Sequence, residues 1–487
     1  MSTSLDPESI LPTVAQEKMI SDIPVESAVA SFVSNNETLP SVVVDWDGQH
    51  DPENSINWPS RGKGGIITLV SALTFLGAMA STIFAPGVPF LMKDFNSNNN
   101  QLASFTVSVY VVGFCIGPLI LSPLSEHYGL LPYITDRTLF RFLQGLAGCL
   151  PITLGGGTIA DMYPPERRGT AMAIWTLGPL LGPVIGPVIG GFLAESVGWR
   201  WIFWLVTIIT AVLSIATFIF LRETYVPTLL ERKAESIRKL SQNPTRIRCK
   251  YDRGQTGNEL LIAAIVRPSK LLTRSPIVFI LAIYVGLVYA YMYLLYTTFT
   301  PVFTSQYGFT TGTAGLSFLG LGIGFVLGQV LVGIFADRYL RAKAKQSTDG
   351  KTQPEHRLPP LAVGAFFIPV GLIWYGWSTH YRAPWIVPIL GIGFVGIGCV
   401  CAFLSSQMYL VDSFGIYAAS ATATNTVVRS LFGATVPLAG SSLYGKLGYG
   451  WGNTILAFVA LAFCPVPFLL MKYGKKIRMD TRFQPKL

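Results

Sequence analysis

The sequence contains few charged residues. Only 13% of its 487 residues are Asp, Glu, Lys or Arg, whereas 51% are hydrophobic, and a soluble globular chain carries about twice that charged fraction. In a soluble enzyme the surplus apolar surface would face water. The 48 Gly and 32 Pro show no three-residue period, which excludes a collagen-like chain. The composition therefore predicts an all-α membrane protein with several spans.

Residues for metal, nucleotide or enzyme chemistry are also scarce. The four His show no metal-ligand spacing, and no Gly-x4-Gly-Lys-Ser/Thr run is present, so ATP is not expected to drive this protein. Most of the six Cys lie in apolar stretches and are interpreted as core residues. We expect no enzyme activity and no cofactor. Nucleic acid is not expected as a partner, because the excess of 36 Lys+Arg over 26 Asp+Glu is confined to short segments between apolar runs.

Apolar segments long enough to cross a bilayer recur along the chain. A hydrocarbon core about 30 Å thick requires roughly 20 apolar residues per helix. Eleven segments satisfy this rule: 66–92, 102–124, 141–160, 170–194, 201–221, 277–303, 312–336, 358–377, 385–411, 418–443 and 451–471. The chain thus supplies five recognisable spans, then six more.

A long polar segment, residues 222–274, separates the two groups and carries twelve Lys/Arg against five acids. By the positive-inside rule this linker and the basic C-terminus are cytosolic. The N-terminal tail is acidic and has no apolar signal-peptide core, so it is expected to be cytosolic as well. We predict a disordered tail (1–64), an N-terminal bundle (65–221), a C-terminal bundle (275–472) and a C-terminal tail (473–487). Inside the linker, apolar residues at near-helical spacing predict a short amphipathic helix lying on the membrane surface: Leu229, Leu230, Ile237 and Leu240.

The charge pattern requires one crossing that hydropathy does not supply. Counting from a cytosolic N-terminus and back from the cytosolic linker, the chain must cross once more between Leu124 and Arg141. The longest apolar stretch there is residues 130–134, far short of a span. The third helix is therefore expected to be missing or truncated, by roughly 20 residues.

The segment 170–194 has the most regular pattern. Glycine recurs every fourth residue, at Gly178, Gly182, Gly186 and Gly190, with prolines beside three of them. This spacing puts a smooth ridge on one helix face, where a neighbouring backbone can approach closely. Gly320, Gly324 and Gly328 repeat the spacing in the second half. The pattern alone is equally compatible with close packing and with a role in transport.

Several motifs resemble those of one family. The run GPVIGPVIGG at 182–191 resembles the antiporter motif of the major facilitator superfamily, in its twelve-span drug:proton antiporter branch. RFLQGLAG at 141–148 resembles the family's fourth-helix motif, and LSEHYG at 124–129 and GIFADR at 333–338 resemble its loop motifs. Further stretches are similar to the filamentous-fungal members: VDWDG at 44–48, DPEN at 51–54, NWP at 57–59, RLPP at 357–360 and YLVD at 409–412.

The resemblance implies a fold of two helical bundles and roles for particular residues. Arg141 would belong to proton coupling, although an arginine at that place can also snorkel to the interface. A bend and interface for alternating access would be formed by Gly182, Gly186, Pro187, Gly190 and Gly191. Glu126 and Asp337 would be acidic members of gating networks, with solvated loop charges as the alternative. The motif of Glu126 departs from the family, since Leu130 and Leu131 replace two basic residues.

Other polar and aromatic residues inside the apolar segments are candidates for a substrate pathway. They are Gln144, Tyr289, Tyr293, Gln329, Gln407, Asn425 and Arg429. An arginine in mid-segment is costly unless it faces a cavity or a partner. Arg429 therefore serves either transport or a satisfied interhelical contact. The tyrosines crowd one span and would suit a planar or cationic substrate, but such stripes also serve packing. No acidic residue lies in mid-span, so the proton carrier is not named.

These observations predict an exporter that exchanges protons for a small organic molecule such as a toxin, drug or secondary metabolite. Export of polyamines or other cations is an alternative within the same family. A non-transporting chain, either decayed or lacking a gene segment, is the alternative from another class. We expect a small-molecule substrate, protons and the lipid bilayer as partners, a monomer, and a multi-pass location in the plasma membrane, with the vacuolar membrane as the alternative.

Overall fold

The computed structural model describes residues 42–48, 51–96, 103–115, 140–163, 165–240, 247–249, 257–346, 353–414 and 418–480. These ranges are mostly α-helical. A helix satisfies its backbone donors and acceptors within one segment, which the hydrocarbon core of a bilayer demands. In the described part of the chain, eight helical stretches are long and apolar enough to cross a membrane.

The first half of the chain forms a bundle around α1. Its helices are α1 (Ser60–Thr82), α2 (Val88–Asp94), α3 (Ala103–Cys115), α4 (Phe140–Met162), α5 (Pro165–Ser196) and α6 (Arg200–Phe220). α1 packs against α4, α5 and α6. Buried apolar side chains of α1, including Leu76 and Met79, lie in the core of this bundle. The bundle is thus organised around its first span.

The segment between the halves contains α7 (Val226–Leu240), a strand β2 (Ile247–Cys249) and α8 (Gly257–Arg274), and β2 pairs with β1 (Val42–Val44). The second half contains α9 (Pro276–Tyr307), α10 (Thr311–Gly315), α11 (Phe318–Gln346), α12 (Pro359–His380), α13 (Ile386–Phe414), α14 (Ala418–Phe463) and α15 (Pro465–Met479). α9 ends at Gly308, whose φ of 66° is the left-handed conformation that glycine adopts readily. A second such glycine, Gly448 with φ 69°, breaks α14 into two spans.

The structure confirms the predicted all-α fold of two bundles. Each described span coincides with a predicted apolar segment, and the single stretch Ser420–Met479 covers 451–471 and all but the first two residues of 418–443. The shorter helix Ala103–Cys115 lies in the second predicted segment. The predicted deficit of a third helix concerns residues 116–139, which lie outside the described residues.

The exposed surface of α6 shows where lipid contacts the protein. Trp204, Ile208, Val212, Ile215 and Phe218 recur every three or four residues and are each more than half exposed. That spacing places them on one face of a helix. An exposed apolar face of this kind is stable against hydrocarbon and unfavourable in water. α6 is thus a peripheral span of a multi-pass membrane protein.

We call the end of the molecule that carries the linker (residues 222–274) the linker end, and the end with the α5–α6 and α9–α10 loops the far end. At the linker end, β1 and β2 form a parallel pair in which Val42 faces Ile247 and Val44 faces Cys249. Leu230 and Ala234 of α7 are fully buried against Val44 and Cys249. The tail and the linker therefore form one small folded unit.

This unit corrects two predictions. The amphipathic helix forms, but two β-strands rather than lipid cover its buried residues Leu230 and Ala234. The tail is not disordered throughout, since residues 42–48 and 51–64 are described and α1 already begins at Ser60. Both predictions failed because the local sequence does not reveal which distant segment will pair with the tail or cover the helix.

A lysine holds the unit together. Lys233 Nζ lies 2.8 Å from Asp47 Oδ2 and 2.9 Å from Asp51 Oδ2. Burial works against the charge of Asp51, but the backbone N–H groups of Asp47 and Glu53 and the Lys233 ammonium outweigh it, so the pKa of Asp51 is lowered. Burial likewise disfavours the charge of Lys233, yet the two carboxylates raise its pKa.

We expect Lys233→Gln to detach β1 from the linker, because it leaves the nearly buried Asp51 carboxylate without its cation, at a cost of about 1–3 kcal/mol. The measurement is limited proteolysis of the full chain in nanodiscs, with faster cleavage between residues 42 and 58. Lys239→Gln is the control, since its pair with Glu235 is exposed. Equal cleavage of both variants and the wild type would contradict the assignment.

The pH dependence of this unit follows from the same pair. Because the pKa of Asp51 is lowered, its charge stabilises the folded unit at any pH above 3.8, the pKa of the carboxyl in the unfolded chain. This stability is lost only as the pH falls through the folded pKa, which lies below 3.8. The raised pKa of Lys233 gives stability that is lost only as pH rises above 10.5. The rate of proteolysis at residues 42–58 should therefore stay constant between about pH 5 and 8.

Candidate functional site

One face of α5 packs directly on α1. A Cβ built on Gly182 would lie 2.7 Å from Phe75 O and 2.7 Å from Met79 N, and one on Gly186 would lie 2.9 Å from Met79 O. A Cβ built on Gly190 would lie still closer to the backbone, against the carbonyl oxygen of Ile83. The glycine spacing thus produces the close backbone approach that it predicted. The transport role of these glycines stays a prediction.

The adjacent face of α5 meets the other half of the protein at the far end. Cβ atoms built on Gly191 and Gly315 would lie 2.7 Å from Thr311 O and 2.6 Å from Pro187 O. Glu195 Oε2 accepts a hydrogen bond from the backbone N–H of Gly312 at 2.7 Å. α5 therefore belongs to the first bundle by one face and closes the far end against α10 by the other.

Polar contacts also join the halves within the membrane-spanning helices, away from the far end. Gln329 Nε2 of α11 donates to Thr176 Oγ1 of α5 at 3.2 Å. The hydroxyl of Tyr293 in α9 interacts with the side chain of Ser81 in α1. These pairs place two predicted pathway residues, Gln329 and Tyr293, at the interface between the bundles. Gln329 Oε1 is buried, and no described residue donates a hydrogen bond to it.

A group of aromatic and polar side chains, which we call the arginine cluster, lies on the second half. It consists of Tyr289, Phe403, Asn425 and Arg429, with Tyr293 beside Tyr289. The Arg429 guanidinium carbon lies 5.0 Å from the ring centre of Tyr289 and 4.7 Å from that of Phe403. Tyr289 and Tyr293 have ring centres 4.9 Å apart. Three of the predicted pathway residues are thus brought together around one cation.

Glycine makes room for this arrangement. Gly433 follows Arg429 by one helical turn, and a Cβ at Gly433 would lie 2.8 Å from Tyr289 Cδ1. Without a side chain at Gly433, the ring of Tyr289 lies against α14 beside the guanidinium. Gln407 lies on α13 with a half-buried side chain.

Several predicted residues fall outside what the structure describes. Arg141 and Gln144 lie near the start of α4, and Asp337 lies on α11, but their side chains are outside the described part. Glu126 lies wholly outside the described residues. Their roles in proton coupling, the substrate pathway and gating stay predictions.

The motifs similar to fungal members meet at the linker end. Arg357 Nε of one motif donates to Asp412 Oδ2 of another at 2.9 Å. Asp47 and Asp51, from two further motifs, share Lys233. The side chain of Glu355 is nearly buried and pairs with Arg478 of α15 at 3.3 Å. Two of these motifs therefore fasten the tail to the linker through Lys233. Glu355, which precedes the motif at 357–360, holds the C-terminal helix.

Sequence reasoning missed three of these residues. Glu195 and Ser81 join the halves through contacts with segments more than 100 residues away, and no local pattern marks them. Lys233 is one basic residue among many in the linker. A usable signal existed for Lys233, because the motifs at 44–48 and 51–54 concentrate aspartates that need a cation.

Comparisons with known proteins agree with this architecture. Residues 138–437 match the family described as Major Facilitator Superfamily. The MFS-type transporter tndD of Aspergillus flavipes is 47% identical, covering 96% of this chain and 94% of that protein. The MFS-type transporter penM of Penicillium rubens is 46% identical, covering 96% of each. Efflux pump radE of Floropilus chiversii is 45% identical, covering 95% of this chain and 90% of that protein.

Solved structures share the fold at low sequence identity. The xylose transporter XylE from E. coli, in a partially occluded inward open conformation, superposes with a TM-score of 0.59. It is 16% identical and covers 85% of this chain and 98% of its own. At this identity the likeness concerns the fold alone.

Proposed function

Because this chain belongs to the major facilitator superfamily, we propose that it exports a small organic molecule, such as a toxin, drug or secondary metabolite, in exchange for protons. The observation that carries this proposal is similarity to fungal transporters over almost the whole chain, including an efflux pump at 45% identity. It acts as a transporter rather than as an enzyme.

The contacts between the halves support an alternating-access mechanism. Gly191, Gly315 and Glu195 close the far end, while Gln329 and Tyr293 join the bundles farther from that end. Two bundles that rock about a central site would open this end by separating α5 from α10. Arg141 is our candidate for coupling that motion to protonation, by resemblance to the family.

The direction of transport follows from the proposed orientation. We place the linker end in the cytosol, because the basic residues of the linker are typical of cytosolic loops. The far end then faces outward from the plasma membrane, or into the lumen if the protein resides in the vacuolar membrane. No cofactor is proposed, and the proton gradient supplies the energy to a monomer.

The test is export from cells of a strain that lacks its own exporters and expresses the full chain. Efflux of a preloaded fluorescent compound should exceed that of the empty strain and should stop when a protonophore collapses the gradient. Persistence of efflux with the protonophore would contradict proton coupling. Absence of export for every compound tried would favour a non-transporting chain.

Coupling by Arg141 has a separate prediction. Arg141→Gln should abolish accumulation against a gradient in proteoliposomes while downhill exchange of the same compound continues, because only the response to protons is removed. Lys93→Gln, on an exposed helix end, is the control. Equal uphill transport by Arg141→Gln and the wild type would contradict the coupling role and would indicate that Arg141 only snorkels to the membrane interface.

A further inference from the structure

Arg429 is a buried cation that has no anionic partner among the residues that the structure describes. Its residue is 7% exposed and lies eleven residues into α14, about 16 Å from the start of that helix. Among the described residues, no carboxylate lies within 4.0 Å of its guanidinium. A charge at this depth is unfavourable unless an anion or a cavity compensates it.

The contacts of Arg429 hold the guanidinium and leave its donors free. Tyr289 and Phe403 approach its carbon to 5.0 and 4.7 Å, a cation–π geometry in which the rings accept no conventional N–H hydrogen bond. Nε is buried and has no hydrogen-bond partner in the described part of the chain. The terminal nitrogens also donate no hydrogen bond to the described residues, so the fork of the guanidinium is available to a ligand. The planar fork of Arg matches a carboxylate, which it binds by two parallel hydrogen bonds.

The neighbourhood adds polar and planar groups. Asn425 precedes Arg429 by one helical turn and shares its face. Asn425 is 1% exposed, and within the described ranges its buried Oδ1 has no hydrogen-bond partner. The rings of Tyr289 and Tyr293 supply an aromatic surface beside the fork. A ligand with an acidic group on a planar ring would meet all three kinds of contact.

Resting on the export function proposed above, we propose that Arg429 binds the anionic group of the substrate, so that the exported class is organic acids carried as anions. Asn425 donates or accepts one further hydrogen bond, and Tyr289 lies against the planar body of the ligand. A polyamine would place its positive charges beside Arg429 and be repelled. The cluster thus disfavours the cation-export alternative.

The test uses export by the full chain in cells that lack other exporters. The probes are matched triads of a carboxylic acid, its methyl ester and the corresponding primary amine, built on naphthalene, indole and anthracene. We expect the wild type to export acids in preference to esters and amines. Arg429→Gln should lower acid export by about 10- to 100-fold and change ester export by less than about 3-fold. Arg429→Lys, which keeps the charge but loses the fork, should be intermediate.

Controls separate recognition from folding. Lys446→Gln removes an exposed cation of the same helix and should leave acid export unchanged. Protein abundance in the membrane and the unfolding midpoint are measured for each variant. If Arg429 were merely structural, its replacement would lower both quantities and would reduce acid and ester export alike. That equal loss would overturn the inference.

Three further outcomes are decisive. Export of esters or amines without any acid would overturn the inference while the proposed export function stands. Export of no compound from any triad would mean that the proposed function itself fails, and the inference with it. The third outcome is that ester export by the wild type requires chloride and that Arg429→Gln removes this requirement. This result would assign the site to an inorganic anion and overturn the proposed substrate class.

Discussion

Gly182→Leu is expected to destabilise the first bundle severely and to abolish transport. Even the Cβ of an alanine at Gly182 would lie 2.7 Å from Phe75 O and Met79 N, closer than atoms tolerate. Both contacts are backbone atoms of α1, which cannot rotate away as a side chain could. Forcing the two helices apart should cost about 3 kcal/mol or more. The measurements are the thermal unfolding midpoint in detergent and export from cells.

Gly157→Leu is the matched control. Gly157 lies on α4, in the same bundle, and a Cβ there meets nothing within 4 Å. It should therefore fold and transport nearly as the wild type does. A Gly182→Leu protein with the stability of Gly157→Leu would show that α1 and α5 are not packed as described.

The milder change Gly182→Ala distinguishes the two interpretations of the glycine ridge. If the glycines serve packing alone, the unfolding midpoint and the transport rate should fall together. If they also support the exchange between states, as the family resemblance implies, transport should fall further than stability predicts. The comparison needs both measurements on the same preparation.

Spans and close approaches could be predicted from the sequence because their signals are local. Hydropathy over about 20 residues identifies a crossing wherever it packs. Glycine at every fourth residue produces a smooth helix face, and in both halves such a face contacts the backbone of another helix. Gly182 contacts α1, and a Cβ built on Gly320 would lie 2.7 Å from Ile389 O of α13. The spacing identified the face, but the identity of the partner helix required the fold.

Contacts between distant segments could not be predicted. Leu230 and Ala234 have the spacing of a helix that binds lipid, and only the pairing of β1 with β2 shows that strands cover them. The sequence is compatible with two roles for Arg429, in transport or in an interhelical contact, because it does not show which groups face the side chain. Its aromatic neighbours come from α9 and α13, and they supply no counter-charge.

Gly315→Leu is expected to trap the protein open at the far end. Gly315 Cβ would lie 2.6 Å from Pro187 O and 3.2 Å from Val188 Cα, so a leucine there holds α10 away from α5. Unlike Gly182, this contact joins the two halves, and the packing within each bundle is preserved. A penalty of about 3 kcal/mol on the closed far end shifts the equilibrium by about 100-fold. Transport should therefore be lost while the protein still folds.

Accessibility of Ser81→Cys reports which end is open. Ser81 is 1% exposed in this structure and neighbours Tyr293 between the halves. In a background without the native cysteines, Gly315→Leu should make this thiol reactive toward a membrane-impermeant maleimide added from the far side. Gly333→Leu is the control, because Gly333 of α11 is exposed and its Cβ would meet nothing within 4 Å.

The pattern across the variants separates closure from folding. Gly182→Leu should lower the unfolding midpoint, whereas Gly315→Leu should keep it and raise the labelling of Ser81→Cys. Glu195→Ala removes only the acceptor of the Gly312 N–H bond, so it should raise labelling less than Gly315→Leu does. Unchanged labelling in Gly315→Leu, together with lost transport, would mean that the contact between α5 and α10 does not close the far end.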